Sequence, residues 1–115
     1  KSKRMVRVPM LSRETAIALQ DALITEFEKP EFQRTLRRAI NMAGDDESAR
    51  MRARQILCVP VQQPVVRRFG FLDIAETMLA FTPELDGDEE VAKRRARLNE
   101  LVNPTEHAGH SDEHP

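Results

Sequence analysis

The sequence predicts an all-α domain, a compact bundle of about five helices around a central proline-kinked helix. Three observations predict it. Apolar residues recur every three or four positions in successive segments, the signature of amphipathic helices. No segment alternates apolar and polar residues for long enough to make a trustworthy strand. The five Phe residues are the whole aromatic content. The core must therefore come from Leu, Ile, Val, Met and Ala, which suits helix packing better than a sandwich.

The first helix is predicted over 12–28. Ser12 is placed to cap it, Glu14 suits the positive end of its dipole, and Leu11 precedes the cap as a hydrophobic staple. Its stripe is Ala16, Leu19, Leu23 and Phe27, widened by Ile17 and Ile24. Pro30 then opens a second helix in its first turn, where a missing N–H costs nothing. Phe32, Leu36, Ala39, Ile40 and Ala43 form its inner side up to Gly44, with Arg34, Arg37 and Arg38 on the wet side.

Asp45 and Asp46 can cap a third helix, whose start interleaves Arg50, Arg52 and Arg54 with Met51 and Ala53. It runs into VPVQQPVVRRFGF at 59–71, the most apolar run of the chain. Between Ile56 and Phe69 apolar residues point almost all round the axis, so this segment is expected to be buried on most sides. Pro60 and Pro64 each remove a backbone hydrogen bond, at about 3 kcal/mol or more in an ordinary helix interior. Their spacing of four makes both kinks bend the axis in a similar direction. The alternative is a break near Pro60 into two shorter helices. Gly70 is placed to terminate the helix in the left-handed conformation, with Phe71 folding back on Val66.

A fourth helix is expected from Asp73 to about Phe81, with Phe71, Ile74, Met78 and Phe81 inward, ended by Pro83. The acidic stretch 84–90 leads into a fifth, with Val91, Leu98, Leu101 and Val102 on its inner side. Acids first and then Lys93, Arg94, Arg95 and Arg97 match the dipole and pairing one turn apart. Pro104 stops this helix. The organisation is thus a basic arm at 1–10, a helical domain at 11–104 and a disordered tail at 105–115. The chain starts at Lys1 without an initiator Met and is expected to be a fragment.

Composition narrows the function classes. The formal charge of −1 gives no global pull toward nucleic acid or anionic membranes. No run approaches the roughly 18 apolar residues of a membrane span. Cys58 is the only cysteine. It excludes an internal disulfide, fits a reducing compartment, and reads as a buried structural thiol rather than a nucleophile. The only histidines are His107, His110 and His114, with Asp112 and Glu113 between them in the tail. They read as solvated rather than as a metal site, because a site needs a rigid frame and a second shell. Neither Asp45-Asp46-Glu47 nor Asp86-Gly-Asp88 completes a calcium loop. No catalytic, cofactor-binding or metal-binding residue is expected, and no cofactor.

The arginines remain. Arg34, Arg37 and Arg38, Arg50 and Arg54, and Arg94 and Arg95 form the expected interaction surface. Nearby acids almost cancel them and there is no Tyr or Trp for base stacking, so a solvated charged face outweighs a phosphate-binding one. The leading reading is a non-catalytic interaction protein, an adaptor or assembly subunit. It is expected to be cytoplasmic, with the nucleus as a second location. Its expected partner is another protein or a second copy of itself. A nucleic-acid-associated protein using the arginine faces is the alternative.

The order of signals also resembles a known family. Leu11-Ser12 opens a helix, Phe27 precedes Pro30-Glu31, and a helix containing Gln62-Gln63 ends in Val65-Val66 and Phe69-Gly70-Phe71. Phe81 follows, then Asp88-Glu-Glu-Val91 leading to Leu98, Leu101 and Pro104. This pattern, over 11–104, resembles the protein C-ten family, whose members are small, mostly helical eukaryotic proteins without an established biochemical activity. The most specific piece is the Gln-Gln and Val-Val ahead of the aromatic-Gly-Phe ending. The resemblance implies a helical fold and carries over no catalytic residue.

Overall fold

The computed structural model describes residues 11–104, which fold into six helices with no strand among them. The expected basic arm at 1–10 and the tail at 105–115, with its three histidines, lie outside the described residues. α1 (Arg13–Phe27) begins where Ser12 Oγ accepts the Thr15 N–H at 3.1 Å. Its stripe of Ala16, Leu19, Leu23 and Phe27 is buried, as its spacing predicts. α2 (Pro30–Ala43) buries Leu36 and Ile40 and leaves Arg34, Arg37 and Arg38 in solvent. Gly44 ends it with φ of +69°, a conformation that favours glycine.

α3 (Glu47–Arg68) is capped by Asp46, whose carboxylate accepts the Ser48 and Ala49 N–H groups. It is one helix of 22 residues, continuous through Pro60 and Pro64. The expected burial on most sides needs correction. Cys58, Val65 and Val66 are buried, but Ile56 is 67% exposed, and Val59, Pro60 and Pro64 also face solvent. The neighbours packed on α3 are α1, α2 and α4, and they cover one side of it. Periodicity reports where apolar residues point; it does not report how many neighbours arrive to meet them.

The exposed side explains how two prolines are tolerated. The carbonyls left without donors belong to Ile56 and Pro60, both on the wet face, where water can reach them. A proline on the outer face also bends a helix convex toward solvent, wrapping it around the core. Pro64→Ala restores a donor to the Pro60 carbonyl at an exposed position. We expect its melting temperature to equal or exceed the parent's by calorimetry; a clear drop would mean that the bend itself is needed for packing.

The end of α3 is a complete Schellman motif. The Phe71 N–H bonds the Val66 carbonyl at 3.0 Å, and the Gly70 N–H bonds the Arg67 carbonyl at 3.0 Å. Gly70 has φ of +94°, and Phe71 and Val66 are both 2% exposed. Arg67 and Arg68 sit at the negative end of the dipole, and Arg67 Nε also donates to the Leu72 carbonyl at 3.3 Å.

α4 (Ile74–Ala80) starts from a reciprocal cap. Asp73 accepts the Glu76 N–H at 2.9 Å, while the Glu76 carboxylate accepts the Leu72 N–H at 2.7 Å. Its inward residues include Thr77 and Ala80, whereas Met78, expected inward, is 69% exposed. Pro83 does not merely stop α4. It opens the one-turn α5 (Pro83–Asp86), capped by Thr82, so the described helices number six rather than about five. Proline at a first helical position stops one segment and starts the next with the same fixed φ.

α6 (Glu89–Val102) is capped by Asp88 and lies along α1, burying Val91 and Leu101 with Leu98 and Val102 half-buried. A polar residue ties three helices together at one end. Gln33 of α2 donates to the carbonyl of Phe27, the last residue of α1, at 2.7 Å. It also donates to the Leu101 carbonyl near the end of α6, at 3.0 Å. Carbonyls that a helix end leaves without partners are thus met by one amide. Leu19, Leu23, Phe27, Leu36, Ile40, Cys58, Val65, Val66 and Phe71 form the heart of one core. None of the described helices is long and apolar enough to cross a membrane.

Candidate functional site

The bundle does not close completely where α4 and α5 meet α1, α3 and α6. A cleft of about 440 Å³ remains there. Leu19 and Leu23 of α1, Val66 of α3, Ile74 of α4, Leu98 of α6 and Phe81 give it apolar walls. Each enters for a local reason. Leu19 and Leu23 belong to the stripe of α1, Val66 is held by the Schellman ending, and Ile74 opens a helix fixed by the Asp73–Glu76 cap. α4 has seven residues and contributes Ile74, Thr77 and Met78 to the lining.

Polar groups in the cleft are few and mostly committed. Thr77 Oγ1 donates to the Asp73 carbonyl at 2.9 Å. Asp86 and Arg95, both lining the cleft, pair with each other. Gln20 and Gln62 are the exceptions. The half-buried Gln62 amide has no hydrogen bond among the described residues. Gln20 is 3% exposed, and its Nε2 donates to the Val91 carbonyl at 3.1 Å. That bond fixes which way the amide points and leaves Oε1 buried without a hydrogen-bond partner. Met78 stands exposed at the cleft as an apolar side chain with a flexible thioether.

Sequence reasoning missed this site. Gln20 sits four residues after Ala16 and three before Leu23, so a helix places it inside the apolar stripe. That position was the available signal. Thr77, between Ile74 and Ala80, carries the same kind of signal.

The arginines expected to form an interaction surface separate into two sets. On α6, Arg94 bonds Glu90 at 2.7 Å and Asp21 of α1 at 2.8 Å, and Arg95 pairs with Asp86. Arg97 reaches Glu28, the residue that follows α1, at 3.1 Å, and Arg13 reaches the cap residue Asp88 at 2.6 Å. The Arg13 hydrogen bond holds the Asp88 carboxyl below the usual carboxylate range, and the bonds from Glu90 and Asp21 raise the Arg94 guanidinium. These cations clasp α6 to α1 and to its own cap. On α3, Arg50 donates to the Gly44 carbonyl at 2.8 Å, and Arg54 stands 3.9 Å from Glu47 with its Nε buried and without a partner.

Arg34, Arg37 and Arg38 differ. Together with Asn41 and Met42 they border a shallow depression on α2, and all three are exposed, with no ion pair among the described residues. Of the arginines expected to form the surface, these three share one helix face, apart from the ion-paired arginines of α6.

Cys58 is buried in the core. Desolvation there pushes its thiol up to about 11, against a lowering from Arg54. A thiol so placed stays protonated at neutral pH and makes a poor nucleophile. The folded protein thus holds this proton more tightly than the unfolded chain. The contribution is complete below the ordinary thiol value of 9.0 and is lost as pH rises through about 11. Stability against urea should fall between those values, and Cys58→Ser should flatten that fall. An unchanged slope would place the thiol in solvent.

No group of three or more His, Cys, Asp or Glu among the described residues is arranged to hold a metal ion. Comparison of the chain with protein-family models, with curated proteins and with solved structures finds no match.

Proposed function

We propose that this is a non-catalytic interaction protein, an adaptor or assembly subunit that binds a protein partner through the cleft between α1, α3, α4 and α6. The observation that carries the reading is the cleft itself. It is open and apolar, its charged groups are neutralised against each other, and an exposed methionine stands at its edge. The buried, protonated Cys58 supports a non-catalytic role, as does the resemblance to the protein C-ten family. A cytoplasmic or nuclear setting belongs to the same proposal, supported by the single free cysteine.

One observation favours a second reading. Arg34, Arg37 and Arg38 have no described ion pair, whereas the α6 cations do, so the α2 face is available to a phosphate backbone. Purification from the native cell at two salt concentrations separates the two. A docked protein stays bound at high salt, because apolar burial resists screening. Retention of nucleic acid at low salt, its release at high salt and the absence of a bound protein would favour the second reading.

A further inference from the structure

We propose that residues 105–115 fold back over the arginine face of α2, with the carboxylates of Glu106, Asp112 and Glu113 paired to Arg34, Arg37 and Arg38. The inference is independent of the cleft. It bears on the second reading, because a phosphate backbone would reach these arginines only by displacing the chain's own acids.

The three arginines are exposed, have no ion pair among the described residues, and share α2 with a single carboxylate, Glu31. Arg34 stands three and four positions before Arg37 and Arg38, the spacing at which like charges on a helix repel. An anion laid along this face relieves that repulsion.

The place where α6 ends decides which anion is at hand. α6 stops at Val102 and the described residues at Pro104. Gln33 donates to the Leu101 carbonyl at 3.0 Å, so the end of α6 lies against the first turn of α2. Residues four apart on a helix share a side, which puts Arg37 on the same flank as Gln33. α3 occupies the other flank, where Phe32 and Thr35 border a groove with Leu57 and Val61. The chain therefore continues from Pro104 beside the arginines. Other cations at this junction are committed: Lys29 bonds Glu26 at 2.8 Å, and Arg97 bonds Glu28 and Glu100.

The sequence supplies the matching charge. Residues 105–115 carry Glu106, Asp112 and Glu113 and no Lys or Arg. An ordinary histidine is mostly uncharged at neutral pH, so three negative charges meet three positive ones. The face from Arg34 to Asn41 rises only about 10 Å along the helix. The eight residues from Pro104 to Asp112 can span up to roughly 26 Å, so the reach is ample. A tether this short holds the acids at a local concentration in roughly the millimolar range, which favours weak surface pairs that separate molecules would not form.

A nitroxide label on Ser111→Cys reads the contact in the intact chain. Cys58 is buried, so the new thiol takes the label. At low salt the NMR signals of the Arg34, Arg37, Arg38 and Asn41 amides should lose most of their intensity, while those of the exposed Leu72 and Leu79 keep theirs. Salt at about 1 M, where charges are screened beyond roughly 3 Å, should restore the lost signals. Neutralising either side should restore them as well, through Glu106→Gln, Asp112→Asn and Glu113→Gln together, or Arg34→Gln, Arg37→Gln and Arg38→Gln together. If the arginine variant does not fold, the acid variant still decides. Undiminished α2 signals at low salt overturn the proposal, and so does equal loss at Leu72 and Leu79. Loss that persists when the acids are neutralised also overturns it, because the contact would then not be ionic.

Discussion

Phe71→Ala is expected to lower the unfolding free energy by about 3–5 kcal/mol, the range for truncating a buried ring. The ring is 2% exposed, and it anchors the turn that reverses the chain after α3. Its own N–H closes the wider Schellman bond onto Val66, so the cavity opens where α3 hands over to α4. The neighbouring Gly70→Ala isolates the backbone part of the same motif. A Cβ at Gly70 would meet nothing within 4 Å, so its cost is the left-handed conformation alone, roughly 1 kcal/mol. Urea unfolding of the two variants should therefore give a large and a small loss. Two losses near zero would make this stretch a surface loop.

Phe27→Ala should cost a comparable amount, again about 3–5 kcal/mol. Phe27 is 1% exposed at the last turn of α1, with its ring stacked on Phe32 of α2 at a centroid separation of 5.2 Å. Its carbonyl is one of the two held by Gln33. The substitution leaves that carbonyl in place but opens a cavity beside it, so the junction of α1, α2 and α6 should loosen. Phe32→Ala is the useful contrast, because Phe32 is half-buried and should cost less. If the two variants melt together, the stack contributes little and the core does not depend on this junction.

What the sequence made legible was local. Ser12 and Asp46 cap their helices where the sequence places them, because a short acceptor before a helical run has few other uses. Gly70 and Phe71 close α3 as their order predicts, since the Schellman geometry is written within six residues. The inner residues of α1 and α6 followed from spacing alone. What failed was whatever depends on a neighbour. Ile56, Val59 and Met78 satisfy the helical pattern yet stand in solvent, because a pattern defines a face and not its cover. Gln20 was invisible as a site for the converse reason. Its meaning depends on Val91, 71 residues away in the chain, and on the cleft that α4 helps to line. The arginines looked like one surface until the acids of α1 claimed those of α6.

The claim that the protein works through this cleft is tested most directly by one matched pair of variants. Met78 at the cleft and Met42 beside the α2 arginines are 69% and 81% exposed. A glutamate at either position should leave stability within about 0.5 kcal/mol of the parent. Binding of the partner captured from the native cell is then measured for Met78→Glu and Met42→Glu, with helicity checked by circular dichroism. The account predicts loss of at least tenfold in affinity for Met78→Glu and parent-like binding for Met42→Glu. The reverse result, with binding kept by Met78→Glu and lost by Met42→Glu, would contradict it and move the function to the arginine face of α2.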